Sequence, residues 1–146
     1  MLRKWTILGL TMAAVTALAT GFAMAQDEDS PLHKLMEQVN AKNLAITKAV
    51  RTPVAFKKSQ KVVADSATEL AKLSKEAREF KEPSEKQKQS YDTWTTLMDD
   101  MTKASEELAK VAGEGDEVAT QAKAKQAHSA VKKSCTACHN VFRVDE

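Results

Sequence analysis

Apolar side chains recur along the chain at intervals of three and four residues, the spacing that places them on one face of an α-helix. The first such run follows Ser30-Pro31, which has the form of a helix N-cap and a first-turn proline. Its apolar positions are Leu32, Leu35, Met36 and Val39. The pattern predicts a helix over residues 31–50, ended by Arg51-Thr52-Pro53 because the residue before a proline disfavours the α region.

Two further amphipathic segments have the same period. One is predicted over residues 55–80. Its apolar positions are Val62, Val63, Leu70, Leu73, Ala77 and Phe80. The other is predicted to start at Ser84 as N-cap, with Gln87 as its capping-box partner, and to end at Gly113-Glu114-Gly115 on a left-handed glycine. Its apolar positions are Tyr91, Trp94, Leu97, Met98, Met101, Leu108 and Val111.

A fourth helix is predicted from Asp116, its N-cap, to within a few residues of the C-terminus. Its apolar positions are Val118, Ala122, Val131, Cys135, Cys138 and Phe142. Glycine and proline are scarce after residue 25, while Ala, Lys, Glu and Leu dominate, which is the composition of a helical domain. The four segments and their short connections predict an all-α fold, an antiparallel four-helix bundle with up-down-up-down topology.

The first 25 residues have the pattern of a secretory signal peptide. Arg3 and Lys4 precede an apolar stretch over residues 5–19, and Ala23-Met24-Ala25 forms a small-residue cleavage site before acidic residues. We expect cleavage after residue 25, export, and a mature domain over residues 26–146. A retained membrane anchor is the alternative, which the threonines within the apolar stretch disfavour. No second apolar stretch is long enough to span a bilayer, so we expect no stable membrane insertion after cleavage.

The charge balance excludes one class of partner. The chain has 22 Lys+Arg and 20 Asp+Glu, and cleavage would remove Arg3 and Lys4, so the mature domain is formally neutral. A neutral domain lacks the strongly basic face that nucleic-acid binding requires, and we expect no nucleic-acid partner. The fourth segment carries Lys123, Lys125, Lys132 and Lys133. These lysines are interpreted either as a patch that attracts an acidic redox partner or as the solvated face of an amphipathic helix.

The two cysteines of the chain belong to one motif, Cys135-Thr136-Ala137-Cys138-His139. A C-x-x-C-H box is typical of covalent haem attachment: thiols one helical turn apart can add to two vinyl groups of one porphyrin, and the adjoining imidazole can ligate its iron. One box predicts one haem c. A redox dithiol, a zinc site and a structural disulfide are weaker alternatives, since the chain lacks strand signals, a paired fourth ligand and a long loop to close.

The segment from Cys135 to Arg143, with Phe142 before the arginine, resembles the C-x-x-C-H-x-x-aromatic-Arg ending of class II c-type cytochromes, the cytochrome c′ family. The resemblance implies Cys135 and Cys138 as thioether donors, His139 as proximal iron ligand, and Arg143 near the haem or its propionates. Arg143 lies four residues after His139 and so returns to the same helix face. A solvated terminal charge is its alternative role.

The resemblance leaves the sixth coordination position of the iron open between two types of family member. Low-spin members carry a methionine ligand on the first helix, where this chain has Met36, and high-spin members have an open site. We expect Met36 to ligate the iron; the alternative is a methionine that only packs in the core. Leu32 stands where many members have an arginine, which leaves the distal propionate contact open.

These alternatives give two functions. The first is a periplasmic carrier of single electrons between redox partner proteins, with one low-spin haem ligated by His139 and Met36. The second is a five-coordinate haem protein that binds nitric oxide or carbon monoxide, with Leu35 and Met36 as a hydrophobic lid. The chain lacks a constellation typical of a general base or nucleophile, so we expect no enzyme activity. Many relatives dimerise, which leaves a homodimer as one alternative.

The remaining histidines and core side chains are assigned lesser roles. His33 lies one turn before Met36 and is an alternative iron ligand, although exposure near the helix start is favoured. His128 shares a face with His139 but lies about 16 Å away along the helix, too far to bind the same iron. The side chains interpreted as bundle core are Tyr91, Trp94, Met98 and Met101.

Overall fold

The computed structural model describes residues 30–114 and 117–143 of the chain, and these residues form five α-helices. The helices are α1 Pro31–Ala49, α2 Pro53–Arg78, α3 Glu82–Gln87, α4 Tyr91–Ala112 and α5 Glu117–Phe142. The described segments contain no β-strand. The predicted signal peptide and the predicted Asp116 cap lie outside the described residues.

The first two helices begin with the capping chemistry of their sequences. In α1, the Ser30 hydroxyl accepts a hydrogen bond from the His33 backbone N–H at 3.1 Å, as the Ser30-Pro31 signature predicts. Helix α2 begins at Pro53, two residues earlier than predicted. Thr52 is extended and its hydroxyl caps the Ala55 N–H at 3.1 Å, while Pro53 occupies the first helical position that proline favours.

The predicted start of the third long helix at Ser84 is wrong. Ser84 lies inside the short helix α3. Lys88, the C-cap of that helix, has the left-handed conformation with φ of 51°. Helix α4 begins only at Tyr91, and Ser90 caps it by accepting the Asp92 N–H at 3.1 Å. A short helix and a second serine cap therefore replace one continuous helix.

The prediction of a left-handed glycine after α4 is also wrong at Gly113. This glycine is right-handed, with φ of −82°, and its N–H donates to the carbonyls of Ala109 and Lys110. The helical hydrogen-bond pattern therefore continues through Gly113, and Gly115, the other glycine of the predicted cap, lies outside the described residues.

The four long helices pack as an antiparallel bundle around one core. At one end of the α2–α4 pair, the Trp94 indole N–H donates to the Ala77 carbonyl at 2.9 Å; at the other end, the Gln60 amide donates to the Ala112 carbonyl at 2.8 Å. These pairings require α2 and α4 to run in opposite directions. The largest fully buried apolar side chains are Ile46, Phe56, Val63, Leu70, Met98, Leu108 and Val131. The predicted all-α bundle is confirmed, with α3 added between its second and third long helices.

Two residues assigned to apolar faces are exposed. Val62 is 49% exposed, whereas its neighbour Val63 is fully buried. Ala122 is exposed, and Ala124 is buried instead. Each residue of a helix turns by about 100°, so a shift of one or two residues moves a side chain from the buried face to the exposed face. Among the described residues, no helix combines the length and the apolar character needed to cross a membrane.

Candidate functional site

A cleft of about 290 Å³ lies between the first turns of α1 and the last turns of α5, with α4 and α3 completing its wall. Its apolar lining consists of Leu32, Met36, Val39, Pro83, Trp94, Met98, Met101 and Phe142. Its polar lining consists of Ser30, His33, Glu82, Lys86, Gln87, His139 and Arg143. Cys135 and Cys138 also face it. All five residues predicted to bind the haem or its iron therefore line one cleft: Met36 of α1, Cys135, Cys138 and His139 of α5, and Arg143 just after α5.

The two thiols project from consecutive turns of α5 into this cleft. Cys138 is 7% exposed and Cys135 is half-buried, and neither forms a disulfide. Burial raises the pKa of both thiols, and that of Cys138 reaches about 11 with a further contribution from Cys135. Both groups are therefore neutral thiols at neutral pH, facing an apolar wall rather than a counter-charge.

His139 is the nitrogen donor of the cleft. It follows Cys138 directly, and α5 continues past it because the Arg143 N–H donates to its carbonyl at 3.0 Å. Much of His139 is exposed, but its partial burial lowers the pKa of the imidazole, and the charge of Arg143 lowers it further. A lowered pKa favours the neutral imidazole at neutral pH, which is the form that ligates a metal. Arg143 is exposed at the mouth of the cleft.

Met36 reaches the cleft through the register of α1 against α5. The Gln121 amide donates to the Val50 carbonyl at 3.0 Å, and His128 Nε2 lies 2.8 Å from Asn43 Oδ1. The second contact lies seven residues before the first in the α1 segment and seven residues after it in α5. The two segments therefore run antiparallel in a constant register. One more step of the same size brings half-buried Met36 to the level of Cys135, and both residues line the cleft.

The other α1 candidates divide between the cleft and the core. His33 lines the cleft with its side chain 38% exposed, and its Nε2 lies 3.8 Å from the Glu37 carboxylate. Leu32 also lines the cleft. Leu35, expected to form a lid together with Met36, is 6% exposed in the core and does not line the cleft.

The floor of the cleft comes from α4. Trp94, Met98 and Met101 are buried as predicted for core residues, and the same side chains line the cleft. Trp94 is fixed twice, by its hydrogen bond to the Ala77 carbonyl and by an edge contact with the Phe142 ring at 5.2 Å between centroids. The floor is therefore rigid and apolar.

The contribution of α3 was not predicted from the sequence. Glu82, Pro83, Lys86 and Gln87 line the cleft. The signal that could have located them is a proline in the first turn of α3, flanked by Glu82 and Glu85, which is typical of a helix start. That signal competed with Ser84, which has the residue type of an N-cap but is part of α3.

His128 and the lysines of α5 lie outside the cleft. His128 is 4% exposed and paired with Asn43, so it is a core-edge residue far from His139, as expected. Lys132 and Lys133 line a shallow surface depression with Ser129 and Asn140. Lys123 approaches Glu114 at 3.4 Å.

The donor set fits a c-type haem. Two neutral thiols one turn apart, an adjacent imidazole and a rigid apolar wall match a flat apolar ring held by two thioethers and a nitrogen ligand. In the part of the chain that the structure describes, no group of three or more His, Cys, Asp or Glu is arranged to hold a metal ion by itself. The zinc alternative therefore finds no fourth ligand among these residues.

Comparisons with known proteins agree with this chemistry. A family model described as Cytochrome C' matches residues 32–143, which covers well over half of the chain. No curated protein and no solved structure matches it.

Proposed function

The chain belongs to the cytochrome c′ family, whose members carry a covalently bound c-type haem, and from that premise we propose a periplasmic monohaem electron carrier. It exchanges single electrons with larger redox proteins and catalyses no reaction of its own. Membership supports the periplasmic location, because family members are typically periplasmic. The signal-peptide pattern of residues 1–25 supports export independently.

Four residues of the cleft have defined roles in this proposal. Cys135 and Cys138 form the two thioethers, and His139 is the proximal ligand. Met36 would supply its thioether sulfur from α1 as the second protein ligand of the iron. A haem iron held by an imidazole and a thioether supplies reversible one-electron chemistry with its reduced state stabilised.

The observation that carries the proposal is that Met36 and His139 line the same cleft from two different helices. The hydrogen bonds between α1 and α5 fix the height of Met36 relative to Cys135, so its approach does not depend on a flexible loop. The floor of Trp94, Met98 and Met101 is buried and apolar, and the hydrogen bond from Trp94 to the Ala77 carbonyl fixes part of it, which supports a site of fixed geometry. A fixed geometry suits electron transfer because little reorganisation accompanies each change of charge.

The test is the optical spectrum of the oxidised haem protein. We expect a low-spin spectrum with a sulfur-to-iron band at its red end. Met36→Ala should abolish that band and lower the midpoint potential, because the ligand that stabilises reduced iron is gone. His33→Ala, at the neighbouring cleft position one turn away, is the matched control and should leave the spectrum unchanged.

Three outcomes would contradict the proposed ligation. An unchanged spectrum in Met36→Ala excludes Met36 as a ligand. Loss of the low-spin spectrum in His33→Ala instead assigns the position to His33. Rapid carbon monoxide binding by the reduced parent protein indicates a five-coordinate iron, and with it the gas-binding function.

A further inference from the structure

We propose that α3 forms the carboxylate-binding side of the cleft, with the ammonium group of Lys86 holding a propionate of the bound haem. The inference rests on the haem that family membership implies, and it is independent of whether Met36 ligates the iron. It assigns a role to a helix that no sequence motif identified.

Apolar and polar lining residues come from different parts of the helices around the cleft. The apolar side chains of α1, α4 and α5 match a flat ring, while the polar residues are contributed by the start of α1, the end of α5, and α3. A haem carries two carboxylates on one edge of its ring. Burying a carboxylate without a partner is costly, so each of these groups must lie against a polar lining residue or in water at the mouth of the cleft.

The charges of the lining residues restrict the choice of partner. Among the described residues, the cleft is lined by two Lys or Arg side chains, Lys86 and Arg143, and by one acidic side chain, Glu82. Arg143 directly follows α5, the helix that carries His139, whereas Lys86 comes from α3. Two carboxylates and two cations from different segments allow each carboxylate one counter-charge.

The backbone of α3 is held firmly while Lys86 remains free to move. Pro83 and Ser84 form the buried face of α3. Just after the left-handed Lys88, the Gln89 N–H donates to the Ser84 carbonyl at 3.0 Å. The side chain of Lys86 is 63% exposed. Its ammonium group can therefore reorient towards the cleft without disturbing buried groups.

Glu82 is the competitor for this ammonium group. Its carboxylate lies 2.5 Å from Lys86 Nζ, one helical turn away, and both side chains are partly exposed. An exposed ion pair of this kind contributes little stability, so a second carboxylate at the cleft can share the lysine. Gln87, half-buried beside it on the cleft wall, adds a neutral amide donor.

The experiment measures the midpoint potential of the haem-loaded protein in Lys86→Gln and in the matched control Lys88→Gln. A positive charge at the haem edge favours the reduced state, because reduction removes one positive charge from the iron. Lys86→Gln should therefore lower the ratio of reduced to oxidised protein at fixed ambient potential by roughly two- to fivefold, the range of an exposed ion pair. Lys88→Gln removes the same charge from a residue that does not line the cleft, and should have less than half of that effect.

Two further variants separate a propionate contact from a general charge effect. Lys86→Arg should retain the parent potential. In a Glu82→Gln background, the effect of Lys86→Gln should grow, because Lys86 is then no longer divided between two carboxylates. Equal shifts in Lys86→Gln and Lys88→Gln, or an effect of Lys86→Gln that is independent of Glu82, would overturn the proposal. An optical spectrum identical to that of the parent protein in every variant, whatever the spin state of the iron, shows that the iron ligands are intact, so this outcome is distinct from failure of the proposed ligation.

Discussion

At the scale of single residues, His128 shows how the bundle accommodates a polar side chain. The imidazole is 4% exposed, and its Nε2 lies 2.8 Å from Asn43 Oδ1. An amide oxygen only accepts hydrogen bonds, so Nε2 carries the ring proton in this pairing. Burial lowers the pKa of the imidazole, and Lys132 one turn away lowers it further. His128 is therefore held as a neutral donor that joins α5 to α1.

This burial predicts a pH-dependent stability. The unfolded chain has an ordinary histidine pKa near 6.5, above that of the folded state, so the unfolded chain binds more protons in the interval between the two values. The contribution of His128 to the free energy of unfolding is complete above about pH 6.5 and is lost as the pH falls through the folded pKa. Denaturant unfolding of the haem-loaded protein between about pH 5 and pH 8 measures this slope.

The His128→Gln variant isolates the histidine. Glutamine retains an amide donor for Asn43 but does not titrate, so stability at neutral pH should change little while the acidic slope becomes shallower. A slope identical to that of the parent protein would show that other groups cause the acid sensitivity.

At the scale of secondary-structure elements, two serines six residues apart show how a cap is recognised in the structure. Ser90 is extended, and its hydroxyl caps α4. Ser84 has the residue type of a cap and a glutamine three residues later, yet its buried hydroxyl has no hydrogen-bond partner. The difference arises because Pro83 already lies within a helical turn, so Ser84 cannot adopt the extended backbone of an N-cap.

Replacement by alanine is expected to change the free energy of unfolding differently at these two serines. Ser90→Ala removes a helix cap and should lower the free energy of unfolding by about 1 kcal/mol. Ser84→Ala removes an unpaired buried hydroxyl and should leave stability unchanged or slightly increased. Thermal or denaturant unfolding of the two variants, each with haem bound, measures the difference. A larger loss in Ser84→Ala than in Ser90→Ala would instead favour the helix start predicted from the sequence.

At the scale of the whole molecule, charge is unevenly distributed over residues 26–146, which are formally neutral. Between Thr120 and Arg143, α5 and its end carry four lysines and an arginine but no acidic residue. Helix α4 has five acidic residues against Lys103 and Lys110. One side of the bundle is therefore basic, and it includes the helix that carries the haem-attachment motif. Such a surface attracts an acidic partner over a distance that salt shortens.

This asymmetry predicts how the reduced protein reacts with small charged oxidants. Oxidation by anionic ferricyanide should slow severalfold as salt is raised, whereas oxidation by a cationic cobalt complex should not slow. Lys132→Glu combined with Lys133→Glu should weaken the salt dependence for ferricyanide. Lys103→Glu combined with Lys110→Glu makes the same charge change on α4 and is the control. Stopped-flow kinetics give these rates, and an equal effect of both double variants would show that net charge alone matters.

The sequence by itself determined the fold class, the four long helices and the chemistry of the last one. The helical period, the scarcity of glycine and proline, and the cap at Ser30 are local properties, and local properties fix local structure. The spacing of Cys135, Cys138 and His139 is fixed by one helical turn, so their common orientation needed no tertiary information.

Only the tertiary structure decided which residues share the cleft. Periodicity shows that Met36, Met98 and Trp94 belong to apolar faces, but it does not show whether the opposite surface is another helix or a cleft. The hydrogen bonds from α5 to Asn43 and Val50 set the height of Met36, and they join residues more than 70 positions apart. The position of Lys86 likewise depends on the short helix α3, which contains Ser84 and ends before Ser90. Long-range packing determined whether the long helix starts at Ser84 or at Ser90, because the free energies of competing caps differ by only about 1 kcal/mol.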